Sequence, residues 1–340
     1  MRRTIIKSVV EMNNAIKYGI DYISSRRNYN IKDTIVISGP PRGGTTWLME
    51  LLDTLPGYRS IFEPLHFKRV PQLRQLNLRQ PFGYPFRPYL SPTDEHPQLK
   101  EYLAKVFKGK VVNWLFDFSL HPRVIYKRIS ANKILVKFIR ANRLLPWIDN
   151  NFELRAIYLM LRHPCAAISS RIKTWGYPPN VTLAKRITLD SIGRIEYFRD
   201  NRELKKKLEN LGGAIEVLAA IWAIDTYIPL AYYKRNNPEK WHIVVYEKLV
   251  TSFEEEIKAI FSHIGEPIPR EVKRMFSKPS RMSYDKQFIG TSKQLLKWKK
   301  HLSQDQIKKI LEVVGWFGIN FYTENPEPDY NALKNWKPPF

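Results

Sequence analysis

Five short apolar runs punctuate the chain, and most of them stop at a turn-forming or charged residue. They occupy residues 34–37 (Thr34-Ile35-Val36-Ile37), 60–62 (Ser60-Ile61-Phe62), 133–139, 156–161 and 242–246. The first ends at Gly39-Pro40-Pro41-Arg42-Gly43-Gly44, the second at Glu63-Pro64, the fourth at Arg162-His163-Pro164 and the fifth at Glu247. Runs of this length without polar alternation read as strands buried on both faces. Between them, residues 45–52, 213–233 and 252–264 carry apolar positions at helical spacing. Strands alternating with helices predict an α/β fold: a central parallel sheet flanked by helices on both faces.

Two segments depart from this rhythm. Near the N-terminus Ile5, Val9, Met12, Ile16, Ile20 and Ile23 recur at helical spacing, with Lys7, Asn13 and Lys17 between them. Residues 1–30 are therefore read as an amphipathic helix whose apolar face either packs on the domain or meets a membrane surface or partner. Residues 31–340 are read as a single domain. Within it, 68–97 is rich in Pro, Arg and aromatics without periodicity and is expected to be an irregular insertion over the active face. The most apolar stretch, 214–233, contains Glu216, Asp225 and Pro229, so it reads as a buried helix rather than a membrane span.

Charge changes the picture more than composition does. Apolar residues make up 44% and aromatics 13%, enough for a large packed core. Against 32 Asp and Glu stand 56 Lys and Arg, a net charge of +24, which draws anionic partners without specifying them. The one cysteine, Cys165, rules out an internal disulfide and suits a reducing compartment. It reads as a small apolar residue at a helix start. With no leader pattern recognised, the expected location is cytoplasmic, peripheral at the membrane if the leading helix docks there.

The sharpest chemistry lies where the first strand meets the first core helix. Glycines between Gly39 and Gly44 let the backbone turn and aim N–H groups at phosphate oxygens, and the following helix adds its positive end. The spacing nearly spells a P-loop, which makes the fold P-loop-NTPase-like. Yet Thr45 stands where the P-loop lysine belongs, and the cation is Arg42, inside the loop. Such a loop suits a nucleotide with a compact 5′-phosphorylated group and no Mg²⁺-bridged γ-phosphate. Residues 41–48 (Pro41-Arg42-Gly43-Gly44-Thr45-Thr46-Trp47-Leu48) resemble the 5′-phosphosulfate loop of sulfotransferases that use 3′-phosphoadenosine-5′-phosphosulfate (PAPS). The resemblance implies that Arg42, Gly43, Gly44, Thr45 and Thr46 hold the phosphosulfate. Trp47 matches an aromatic that stacks on adenine in some members.

A second segment resembles the same family's 3′-phosphate motif: Arg162 at a strand end, with Ser170 eight residues on. An arginine can grip a phosphate bidentately and a serine hydroxyl can donate to it. Residues 243–249 and 298–302 resemble further segments of the family, and the loop at 288–292 is expected near the 3′-phosphate or adenine. The resemblance implies PAPS as donor, PAP as product and no required metal.

Sulfuryl transfer needs a base for the acceptor proton and cations for the leaving phosphate. Small-molecule members place a His two residues after a strand Lys; here Lys137 is followed at that position by Ile139. Phe62-Glu63-Pro64 instead resembles the carbohydrate-type members. Glu63 is the candidate base with His66 as rival, and Lys137 and Arg42 are the candidate cations. Arg69, Arg74, Arg79 and Arg87, interleaved with Tyr84, Phe86 and Tyr89, fit an acceptor groove for a glycan or glycolipid. The rival readings are a nucleotide kinase, a non-catalytic PAP-binding relative, and a basic nucleic-acid-binding protein. The kinase lacks its Lys and a strand-end Asp for Mg²⁺. No nucleic-acid-binding signature is present, so no nucleic-acid partner is expected.

Overall fold

The computed structural model describes residues 2–66, 70, 73, 87–112, 118–276 and 292–340. Five strands form one sheet: β1 (Ile35–Ser38), β2 (Tyr58–Phe62), β3 (Lys133–Phe138), β4 (Ala156–Leu161) and β5 (Trp241–Val245). All neighbours are parallel, in the order β2-β3-β1-β4-β5. Each predicted run is a strand: the fourth matches β4 at both ends, and the ends of the others move by at most two residues.

Alternate side chains of each strand enter two different cores. Ile35, Ile37, Leu135, Tyr158 and Met160 pack with Leu48, Leu51, Ile257, Ile260 and Phe261 on one face. Val36, Val136, Ile157, Leu159 and Leu161 pack with Leu218, Ile221, Ile224 and Ile228 on the other. Both faces are covered, which is why the runs show no polar alternation.

The helices around the sheet that bear on the site are seven. They are α1 (Arg2–Ser25), α2 (Thr45–Leu52), α3 (Pro97–Phe107), α4 (Pro122–Ser130), α5 (Pro164–Trp175), α6 (Ala214–Asn236) and α7 (Phe253–His263). Helix α6 is the apolar stretch, and although long enough to cross a bilayer, 89% of its most apolar window is buried against the sheet and its neighbours. It keeps Pro229 in its interior.

Helix α1 docks near its C-terminal end: Ile20 is buried, Ser24 Oγ donates to the Arg128 carbonyl at 3.2 Å, and Asp21 pairs with Arg128 at 2.6 Å and Arg59 at 3.3 Å. Met12, Ile16 and Ile23 of the apolar stripe are 58%, 45% and 53% exposed. At these three positions the stripe is open to solvent, and the contacts that α1 makes near its end are with α4 and β2. Of the insertion, Val70, Leu73 and Leu90 are buried anchors, whereas Arg69, Arg74, Arg79, Tyr84 and Phe86 lie outside the described residues.

Candidate active site

In a parallel sheet with this order, strand ends at the carboxyl edge surround a crevice where the winding direction reverses. Arg42, Glu63, Lys137 and Arg162 lie at or next to that edge, and Ser170 lies in the helix that leaves it after β4. β1 gives way to the glycine loop, and α2 starts at Thr45 with Gly44 as its N-cap in a left-handed conformation (φ 100°) and no capping side chain. Helix N–H groups there are available to an anion. The glycines are sterically required. A Cβ on Gly39 would lie 2.6 Å from the Met160 carbonyl oxygen, and one on Gly44 would lie 2.6 Å from the Tyr246 ring. Thr45, Thr46 and Trp47 are all buried; the Trp47 ring stacks on Phe253 at 6.2 Å and meets Tyr246 edge-on at 5.8 Å.

Arg42 has φ 66°, an unfavourable conformation for a side-chain-bearing residue. Its Nε donates to Ser170 Oγ at 3.0 Å, so the loop touches the second predicted phosphate motif directly. Arg162, just beyond β4, donates from Nη1 to the Arg42 carbonyl at 2.7 Å and lies 4.0 Å over the Tyr246 ring. Burial first, and then the Arg162 charge, lower the Arg42 pKa. Two partly buried guanidiniums held together are repulsive, and an anion between them relieves that repulsion. These residues fit a bisphosphorylated nucleotide: donors, positive helix end and paired arginines converge from two strand ends.

Supporting residues fix this arrangement. His163 caps α5, with Nδ1 accepting from the Cys165 N–H at 3.2 Å and Nε2 against the Thr323 carbonyl at 2.8 Å. Burial pulls it down to about 4, so it is a neutral bracket. Trp298, in the third resembling segment, stacks on His163 at 4.7 Å. Cys165 is buried and its thiol pushed up to about 12, which suits packing rather than chemistry. Glu247, after β5, accepts from the His163 N–H at 2.9 Å; burial raises it to about 7. Gln294 donates to the Tyr246 hydroxyl, so chain from the C-terminal quarter reaches the site. Residues 288–291 of the predicted closing loop lie outside the described residues.

At the other side of the crevice, Phe62, Lys137 and Ile37 lie in one row across β2, β3 and β1. Glu63 follows Phe62 and adopts φ 53°. Its N–H still donates to the Lys137 carbonyl at 2.9 Å, so the turn redirects the side chain while the strand pairing continues. The carboxylate is 2% exposed and receives Lys137 Nζ at 2.8 Å on one oxygen and Arg140 Nη1 at 3.0 Å on the other. Lys137 Nζ also lies 4.2 Å over the Phe62 ring. His66 is partly buried two residues beyond Pro64, its N–H donating to the Glu63 carbonyl. The structure thus brings Glu63 to Lys137, and Arg42 to Arg162 and Ser170, on adjacent strand ends.

Sequence reasoning assigned no role to Arg140, Tyr246, Arg143 or Asp225, and it placed Arg87 in an acceptor groove, whereas the structure buries Arg87 in a triad with Arg143 and Asp225. Arg143 Nε donates to Asp225 at 2.7 Å, and Arg87 pairs with the other carboxylate oxygen. Arg140, three residues after Lys137, was visible in the sequence; its pairing with Glu63 depends on β2 and β3 being neighbours.

The Sulfotransferase family model matches residues 34–270, well over half of the chain. Among solved structures, the sulfotransferase domain of the Synechococcus PCC 7002 olefin synthase is 15% identical, with a TM-score of 0.43 over 86% of this chain and 96% of that one. The sulfotransferase domain from the curacin biosynthetic pathway is 15% identical, with a TM-score of 0.44 over 85% and 97%. Mouse sulfotransferase SULT7A1 complexed with PAP is 13% identical, with a TM-score of 0.41 over 92% of each chain. No curated protein matches the sequence. With the family model spanning the strand ends that carry Arg42, Glu63, Lys137 and Arg162, the chain belongs to the sulfotransferase family and is a PAPS-dependent sulfotransferase.

Proposed function

We propose that this sulfotransferase modifies a hydroxyl of a carbohydrate or glycolipid, with Glu63 as the base. The observation that carries the reading is the Glu63 carboxylate, turned by a positive φ into a buried position against Lys137 at the edge of the crevice. Bound PAPS supplies an activated sulfuryl group and leaves as PAP. The loop from Arg42 to Thr46 holds the 5′ end, Trp47 serves the adenine, and Arg162 with Ser170 holds the 3′-phosphate. Glu63 takes the proton of the acceptor hydroxyl as its oxygen gains the bond to sulfur that the donor phosphate loses. Each carboxylate oxygen has two lone pairs, so one bond each to Lys137 and Arg140 leaves capacity for that proton. Lys137 and Arg42 offset the charge that develops on the leaving phosphate. His66 is the alternative base, held one turn away by its bond to the Glu63 carbonyl.

The carbohydrate reading draws on the Phe62-Glu63-Pro64 pattern and on Ile139 at the histidine position of small-molecule members. Supplying sulfur-labelled PAPS with a neutral glycan, an acidic glycan, a glycolipid, a phenol and a tyrosine peptide tests it. Label is expected in a glycan or the glycolipid. Label confined to the phenol or the peptide overturns the carbohydrate reading and leaves sulfuryl transfer intact.

A second reading concerns α1. Its exposed Met12, Ile16 and Ile23 lie on one helix face, beside a sequence carrying Lys7, Lys17, Arg26 and Arg27. Basic amphipathic helices of this kind lie in the interface of anionic bilayers. The enzyme is proposed to work in the cytoplasm, peripherally at such a surface.

A further inference from the structure

Behind the second phosphate motif stands a buried carboxylate to which the proposed chemistry gives no task. Leu161 pairs with Val245 in the register of β4 and β5, so the residues just beyond the two strands run side by side. Arg162 lies over the Tyr246 ring at 4.0 Å, and one residue further the His163 N–H donates to Glu247 Oε1 at 2.9 Å. Glu247 is 1% exposed. Its second oxygen, Arg162 Nε and the Tyr322 hydroxyl are buried, and none has a partner in hydrogen-bond geometry among the described residues. A carboxylate kept from water with one oxygen unfilled is costly while it is charged.

The groups that face it come from each element packed around it. From the end of β4, Arg162 favours the ionised form, and His163, with a pKa of about 4, is neutral. From the C-terminal segment, Glu327 opposes ionisation, and Tyr322 and Tyr330 face the carboxylate as neutral phenols whose own pKa values it raises. On its own helical turn, Lys248 is engaged with Glu256 at 3.2 Å. Burial outweighs Arg162 and sets Glu247 at about 7. A phosphate on Arg162 cancels that favourable charge and brings an unfavourable one, so bound phosphate and ionised Glu247 compete for one arginine.

Resting on the assignment of Arg162 to the 3′-phosphate, we infer that Glu247 is a positioning residue of the donor site and that nucleotide binding is accompanied by a proton taken up on its unfilled oxygen. The protonated carboxyl keeps its bond from the His163 N–H, which holds the strand end, and gives up its claim on Arg162, which turns to the phosphate. One proton enters from solvent with the nucleotide and leaves with PAP. It is separate from the acceptor proton, which goes to Glu63.

The test titrates the whole protein with PAP, and with AMP, which lacks the 3′-phosphate. Calorimetry at about pH 7.5 in two buffers of different ionisation heat counts the protons bound with each nucleotide. Phosphate monoesters have a second pKa of about 6, so those of PAP are nearly all dianions there and exchange few protons themselves. A rise of about one pH unit in Glu247, the low end for a neighbouring charge, gives an uptake of about half a proton with PAP; AMP should give none. Glu247→Gln, neutral and of nearly the same shape, should bind PAP without uptake. Between about pH 6.5 and 8.5 the affinity of wild type for PAP should fall about sixfold relative to that variant. The wild-type proton count needs no variant, so it decides the matter even where Glu247→Gln folds poorly. No uptake by wild type, uptake retained in Glu247→Gln, or equal uptake with AMP overturns the inference and leaves the donor site standing. PAP bound no more tightly than AMP overturns the assignment of Arg162, and the inference with it.

Discussion

Replacing Glu63 by Gln removes one charge and almost no volume, and the structure sets what that should do. In the native protein the carboxylate meets two cations, at 2.8 and 3.0 Å, with Lys137 only 3% exposed and Arg140 22% exposed. Gln keeps one acceptor oxygen but turns an amide N–H toward the other cation. Arg140 can move toward water; Lys137 cannot. Breaking a buried pair from one side costs about 3–5 kcal/mol, and the mobility of Arg140 favours the low end. At about 2–4 °C per kcal/mol in chains of comparable size, the melting temperature should fall by about 5–10 °C. The protein should still fold and bind PAP, because the phosphate-binding arrangement runs from Ser170 to Arg42 and from the Arg42 carbonyl to Arg162, and not through the Glu63 carboxylate.

Turnover should respond differently from stability. Loss of a general base costs roughly 10²- to 10⁴-fold in rate, which is about 3–5 kcal/mol of barrier. Single-turnover sulfuryl transfer measured below the melting transition, alongside a PAP titration, separates the two effects. Glu63→Asp is the companion variant: it keeps the charge that Lys137 and Arg140 need but withdraws the carboxylate by one methylene. It should retain most of the stability and still lose at least tenfold in rate. A folded, PAP-binding Glu63→Gln protein with kcat within tenfold of wild type refutes the assignment and hands the role to His66.

Two other predictions follow from groups outside the reacting centre. Burial raises Glu247 from 4.5 to about 7, so the folded state binds more protons than the unfolded state between those values, and stability falls as pH rises through that window. Glu247→Gln cannot titrate, so its stability relative to wild type should grow by about 3 kcal/mol between pH 4 and pH 8 in urea titrations; a pH-independent difference removes the argument. For α1, wild type should sediment with phosphatidylglycerol vesicles and much less with phosphatidylcholine. The combined Met12→Ser, Ile16→Ser and Ile23→Ser protein should lose about 3 kcal/mol of that affinity, whereas unchanged sedimentation, or none by wild type, ends the membrane reading.

The fold was legible wherever burial is uniform. All five strands announced themselves as unbroken apolar runs because helices cover both faces of the sheet. Helix α6 was legible for the same reason, since Asp225 and Pro229 inside so apolar a stretch argue for protein rather than lipid around it. Helix α4 was not. Its one buried residue is Arg128, an arginine turned inward to Asp21, so no apolar stripe marks it. The stripe on α1 was read correctly as a helix, but periodicity does not say whether an apolar face finds a partner within the chain.

The site divides along a similar line, between what local order encodes and what the sheet assembles. Arg42, Gly44 and Arg162 belong to motifs contiguous in sequence, and each motif spans one strand end and one helix start. Glu63 with Arg140, and Arg87 with Arg143 and Asp225, are separated by tens of residues and meet only because β2 lies beside β3 and α6 crosses the sheet. Backbone strain was equally hidden. Asn237, the third described residue with positive φ besides the glycines, ends a helix, where asparagine commonly takes that conformation. Arg42 and Glu63 have no such local excuse: each lies beyond a strand end, in a conformation that costs about 1–3 kcal/mol for a residue with a side chain. One points a guanidinium toward Ser170 and the other a carboxylate toward Lys137, from beyond the ends of β1 and β2, which flank β3. Strain at these two positions aims both groups into one crevice, and relaxing either backbone would separate the proposed base from the phosphate-binding loop.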